Sequence, residues 1–198
     1  MIKSKQDLKY YIECDLKSLE RYPLTIKDYL KSGQKIWKYQ ILLRKTEYLF
    51  NCMDKSILFR FAFRWYYHKL VNLGIKYGFT VPLNVFGPGL CICHVGTIVI
   101  NGNTKVGSNC RIHAGVNIGN SSPLGDNWVS DNTPIIGNNV YIGPGAKLFG
   151  KIIIGNNVAI GANAVVNNNV PDDVTVGGVP AKIISKKPSA VIHGDIRY

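Results

Sequence analysis

Ile136, Ile142, Leu148, Ile154, Ile160 and Val166 stand at a strict spacing of six. Ile100, Val106, Ile112 and Ile118 keep the same phase earlier in the chain. The two blocks lie 18 positions apart, which is three sixes, so the segment between them does not break the register. A helix repeats at 3.6 and a strand at 2, and neither gives six. Gly follows six of the ten aliphatics: Gly107, Gly119, Gly137, Gly143, Gly155 and Gly161. A second small or apolar residue follows four positions on in most repeats, as at Cys110, Val116, Val140, Ala146, Ile152, Val158, Ala164 and Val170. This pattern predicts a hexapeptide parallel β-helix, with three short strands in each triangular coil. The aliphatic points into the prism, and Gly or Asn is expected to take the left-handed geometry at the corners.

Composition narrows what surrounds this coil. The 198 residues are 46% hydrophobic, enough for one domain and an appended piece. No uncharged apolar run is long enough to cross a bilayer, and the start of the chain lacks the apolar stretch of a secretory signal. These readings point to the cytosol. Five scattered cysteines form no C-x-x-C pair, so they are read as reduced packing residues, with no metal site. The net charge of +12 is uneven: residues 1–81 carry a surplus of 9 basic side chains and the remainder a surplus of 3. The basic part is therefore the N-terminal region. Charge alone, without a recognised module, does not support nucleic-acid binding.

Three helices are expected before the coil: residues 4–21 opening at Ser4, residues 25–50 with a break at Gly33, and residues 55–75 closed by Gly74 and Gly78. The third is rich in aromatics and carries Arg60, Arg64 and His68 at i, i+4. Packing against a partner subunit or the coil is the favoured reading, with peripheral membrane contact left open. The expected division is a helical region over 1–79, a left-handed parallel β-helix over 80–184 and a tail over 185–198. Residues 119–133, full of turn chemistry, read as a loop thrown out from one coil.

A β-helix is only a scaffold, so function must come from its exceptions. His94 lies six residues before Ile100, in phase with the aliphatic wall, and His113 stands where other repeats have Gly. They are 19 residues apart, one coil plus one residue, which puts them about 4.8 Å apart in layer height and near one edge. An imidazole can take up or release a proton at neutral pH, which makes both residues candidates for general acid–base work.

The stretch from about Pro82 to Lys186 resembles the serine acetyltransferase branch of the hexapeptide acyltransferases. Its marks are Gly87-Pro-Gly-Leu-x-Ile-x-His94, Cys110-Arg-Ile-His113, Ile142-Gly-Pro-Gly-Ala-Lys147 and Gly178-Val-Pro-Ala-Lys182. The likeness is read as nearest to members found with capsule and exopolysaccharide genes. It implies a homotrimer with active sites between neighbouring coils, and acetyl transfer from acetyl-CoA to a hydroxyl. By this resemblance His94 is the base, with His113 beside it. Acetyl-CoA would pass Gly119, Gly143, Pro144, Gly145, Gly161 and Ala162, with Gly178, Pro180 and Lys182 near its nucleotide end.

Departures from the serine-specific pattern bear on the acceptor. Members of that branch carry Asp where this chain has Cys93, an acid fifteen positions before the base where it has Phe79, and Arg-His where it has Asn132-Thr133 before Pro134. An amino acid needs such charged clamps. A sugar needs only hydrogen bonds and stacking, which Asn132 and Trp128 offer. Asp126, Asp131 or a backbone carbonyl is left to orient His94. The first reading is therefore an O-acetyltransferase acting on a sugar of a surface glycan or its precursor. The alternatives are a serine O-acetyltransferase, and a catalytically silent trimeric scaffold that binds membrane or a polyanion.

Overall fold

A computed structural model describes residues 1–19, 35–121 and 132–187. Helices come first: α1 (Lys5–Ser18), α2 (Lys35–Asn51) and α3 (Ile57–Tyr77), with a single 3-10 turn at Met53–Lys55. From Phe79 the chain winds into a left-handed parallel β-helix of hexapeptide repeats. Face A stacks β1 (Phe79–Thr80), β3 (Ile98–Ile100), β6 (Asn117–Gly119), β9 (Lys147–Phe149) and β12 (Val165–Val166). Face B stacks β4 (Lys105–Val106), β7 (Ile135–Ile136) and β10 (Ile153–Ile154). Face C stacks β2 (Cys91–Ile92), β5 (Arg111–Ile112), β8 (Tyr141–Ile142), β11 (Ala159–Ile160), β13 (Thr175–Gly177) and β14 (Lys182–Ser185). Every pairing is parallel except β13 with β14, a hairpin that covers the C-terminal end of face C.

All ten period-six aliphatics are buried, and so are the eight residues of the second set. Together they make one continuous core with Tyr39, Leu43 and Leu70 of the helices. Asn and Gly take the left-handed geometry at the corners, as the sequence predicts. The left-handed positions lie three residues before six of these aliphatics and before Val176: Asn109, Asn139, Asn157, Asn163 and Asp173, with Gly115 and Gly145 in the same role. The glycines that follow the aliphatics do not have positive φ. Several are there for close stacking instead. A Cβ on Gly107 would lie 2.7 Å from the Gly137 carbonyl oxygen, and one on Gly137 would lie 2.7 Å from that of Gly155. Carboxamides also zip the corner between faces B and C. Asn109 donates to Asn139 at 3.0 Å, Asn139 to Asn157 at 2.9 Å, and Asn157 to Asp173 at 2.8 Å.

The helices plug the N-terminal end of the prism. Ser4 opens α1 with a capping box to Asp7, and Gly78 ends α3 in the left-handed conformation. Gly74 has another duty: a Cβ there would meet the Phe79 carbonyl oxygen at 2.7 Å. The part of the second expected helix before Lys35 lies outside the described residues. Arg44 of α2, fully buried, donates to Asp15 at 2.8 Å and Glu47 at 3.0 Å. It also donates to the carbonyls of Phe86 and Gly87. Asp15 accepts from the Gly89 and Leu90 amides. Gln40 donates to the Leu90 carbonyl and accepts from the Ile92 amide, as a neighbouring strand would. This network satisfies the exposed edge of β2, the strand that leads into His94.

Candidate functional site

Coil length is the first clue to the site. Ile100 pairs with Ile118, an interval of 18, but Ile92 pairs with Ile112, an interval of 20. Ile92, not His94, is the inward member of the first coil. Two extra residues lie between Ile92 and Ile98, so His94 leaves the wall and is exposed at the corner between faces C and A. The expectation that His94 keeps the repeat's phase fails because phase was counted backwards across this insertion.

His113 occupies the same corner one coil on, and the two imidazole centroids are 5.7 Å apart. Tyr141, from the next coil, packs on His113 at 5.1 Å. His113 is 8% exposed, and its Nε2 is buried without a hydrogen-bond partner. Burial, assisted by the Arg111 charge, lowers its pKa below the ordinary 6.5. His113 is therefore a neutral imidazole at neutral pH.

The corner continues upward from this pair. Above Ile112-His113-Ala114-Gly115 stand Ile142-Gly143-Pro144-Gly145 and then Ile160-Gly161-Ala162-Asn163. They are joined by bonds from Gly115 to Thr97, Gly145 to Ala114 and Asn163 to Pro144. Gly161 donates to the Val176 carbonyl, and Gly178 accepts from Val165, so the β13–β14 turn seats on the same edge. Gly178, Pro180 and Lys182 are exposed there. The edge is thus a column of small residues about 15 Å tall with two imidazoles at its foot. Gly119 is elsewhere, at the corner between faces A and B.

That second corner is where the loop leaves. Val106 pairs with Ile136 at an interval of 30, so the coil carries twelve extra residues. Ser121 and Asn132 stand at the loop's feet and are bonded at 3.0 Å, and Thr133 is buried beside them. Asp126, Trp128 and Asp131 lie outside the described residues. The sequence reading set this loop beside the histidines. Its feet instead stand one prism corner away, because each coil turns through three corners and the insertion follows β6 rather than β5.

Phe79 is buried against Tyr39 at 5.0 Å and Tyr77 at 5.9 Å. Cys93 is half-buried, 3.9 Å from the Cys91 sulfur. That thiol's hydrogen bond, and the Arg111 charge, hold Cys93 below the usual thiol range. Arg111 also donates to the Ser18 carbonyl at the end of α1. The Arg44–Asp15 pair and the effect of the Arg111 charge on Cys93 are not legible in the sequence, since each joins residues distant in the chain. Among the described residues no group of three or more His, Cys, Asp or Glu side chains could hold a metal ion.

Comparison with known proteins agrees with this geometry. Residues 133–168 match the bacterial transferase hexapeptide family, described by six repeats. Over those residues the coil is similar to the bacterial transferase hexapeptide repeat. Its relatives are serine acetyltransferases. That of Buchnera aphidicola from Acyrthosiphon pisum is 32% identical over 181 residues, 90% of this chain and 62% of the relative. The Neisseria gonorrhoeae serine acetyltransferase solved in complex with serine superposes with a TM-score of 0.67 at 29% identity, covering 92% of this chain and 71% of that one. A serine acetyltransferase solved in complex with CoA gives 0.68 at 25% identity, covering 91% and 71%. The chain spans less than two thirds of the curated relatives it matches. These relatives do not support the nearer likeness to capsule and exopolysaccharide enzymes expected from the sequence.

Proposed function

We propose that this hexapeptide protein is an acetyl-CoA-dependent O-acetyltransferase of the serine acetyltransferase kind, with His94 as general base and L-serine as the acceptor to test first. The observation that carries the reaction class is the imidazole pair at the foot of a glycine-lined edge. The serine reading is supported by the relatives, one of them solved with serine and another with CoA. In this reading the acceptor oxygen attacks the thioester carbonyl carbon as His94 takes the hydroxyl proton. The carbon–sulfur bond breaks, and the departing CoA sulfur takes that proton back. His113, neutral and with an unpaired buried nitrogen, offers the acceptor a hydrogen bond. The pantetheine arm lies along Gly143, Pro144, Gly145, Gly161 and Ala162, with Lys182 toward the nucleotide.

The assembly in this proposal is a homotrimer. The loop feet stand on a different corner from the imidazole pair, so a neighbouring protomer's loop would complete each site. A second reading, acetylation of a sugar hydroxyl, is favoured by the absence of clamps: Cys93, buried Phe79 and Asn132-Thr133 bring no full charge for an amino acid's ammonium and carboxylate.

Thiol release from acetyl-CoA by the whole chain, with L-serine or a panel of sugars and nucleotide sugars as acceptor, tests both. Release with serine supports the first reading, and release with sugars alone supports the second. His94→Ala should lower either rate by about 10²–10⁴-fold without changing the mass in solution. An unchanged rate removes His94 as the base.

A further inference from the structure

Helix α3 is apolar on two opposite sides, and the fold uses one of them. Phe59, Phe63, Tyr66, Leu70, Leu73 and Tyr77 turn toward α2 and the coil and are buried or half-buried. On the other side Leu58 (74% exposed), Phe61 (65%), Trp65 (53%) and Ile75 (75%) lie in a single stripe about 25 Å long. The spacing between these residues and the intervening His68 and Asn72 alternates three and four, so they share one face. His68 and Asn72 are bonded to each other at 2.9 Å and interrupt the stripe. A surface helix normally shows solvent a polar back, so one that exposes four large apolar side chains along a single face marks a contact.

Charge says what kind of contact. Arg60 and Arg64 flank the stripe on one side, Lys69 and Lys76 on the other, and all four are exposed. Lys69 sits 3.4 Å over the Trp65 ring. The helix has no acidic residue from Ile57 to Tyr77. Among the described residues its one ion pair is Arg60 with Asp54 at 3.7 Å, an exposed pair that solvent screens. Two copies of this face laid together would set basic rows against basic rows. Apolar and aromatic side chains between two basic rows match a surface with an oily interior and anionic headgroups.

We propose that α3 docks the protein on an anionic lipid surface, with Leu58, Phe61, Trp65 and Ile75 inserted at the acyl boundary and Arg60, Arg64, Lys69 and Lys76 against the headgroups. No helix among the described residues is long and apolar enough to cross a membrane, so the contact is peripheral.

Flotation of the full chain with vesicles tests the proposal, using phosphatidylcholine alone or mixed with an equal part of phosphatidylglycerol. Binding is expected to the anionic vesicles and to weaken as salt rises. The double variant Phe61→Ser/Trp65→Ser should bind about tenfold or more weakly. Arg64→Gln/Lys69→Gln, which disturbs no buried group, should also weaken binding by about tenfold or more. Failure of the wild type to bind anionic vesicles overturns the proposal, and so does equal binding by both variants. If light scattering shows that Phe61→Ser/Trp65→Ser splits a larger assembly, the stripe joins copies of the chain and the proposal also falls.

Discussion

Cys93 and His113 follow the paired strands β2 and β5 into one corner, and their surroundings there set the chemistry of each. The Cys91 thiol and the Arg111 guanidinium favour the Cys93 thiolate, whereas burial pushes the Cys110 thiol up. Iodoacetamide at mildly alkaline pH should therefore modify Cys93 about tenfold or more faster than Cys110, read by peptide mass spectrometry. Equal rates would show that Cys93 is not held below the usual thiol range. His113 has the opposite linkage to a salt-bridged imidazole. Its folded pKa is lowered, so above 6.5 folded and unfolded chains are both neutral there and pH has no effect through this group. As pH falls below 6.5 the unfolded chain takes the proton first, and stability declines until pH passes the lowered folded value. His113→Asn should flatten that part of a melting-temperature profile between neutral and acid pH. An unaltered profile would show that His113 is not titrating.

At the scale of the element, α1 and α2 matter for the strand they hold. The Arg44 fork neutralises Asp15 and Glu47 in a space without solvent, and both acids in turn accept backbone amides of the first coil. Removing the guanidinium leaves two buried carboxylates without a counter-charge. Arg44→Met should cost about 3–5 kcal/mol in urea unfolding. A loss below about 1 kcal/mol would mean that water or relaxation replaces the fork. Gln40 completes the same joint by pairing Leu90 and Ile92. The lead-in to His94 is thereby fixed from the helical side, although His94 itself is exposed.

The whole molecule behaves as a short stack closed at both ends. Tyr39, Leu43 and Leu70 enter the core at the first coil, and the antiparallel β14 covers β13 at the last. Coils in the middle have neighbours on both sides, so their amides open only when a neighbour leaves. Hydrogen exchange followed by mass spectrometry should find β5, β8 and β9 slowest and β13 and β14 fastest among the strands. Slowest exchange in the terminal hairpin would contradict this ordering.

The period of six by itself determined the parallel β-helix, its core and its buried second set. That is because each residue's inward or outward fate repeats with the local geometry of one coil face. It also made His94 and His113 exceptions. Tertiary structure decided the rest. Coil lengths of 20 and 30 shift which residues stack, so only pairing reveals that Ile92 replaces His94 inside and that the loop rises from another corner. The need for glycine at 107 and 137 is likewise set by the carbonyl of the next coil, not by its own repeat. The same holds for charge. Arg44 and Asp15 acquire their roles from each other, far apart in sequence, and the Arg111 charge adds to the effect of the nearby Cys91 on the Cys93 thiol. Electrostatic and hydrogen-bond energies depend on distance and burial in space.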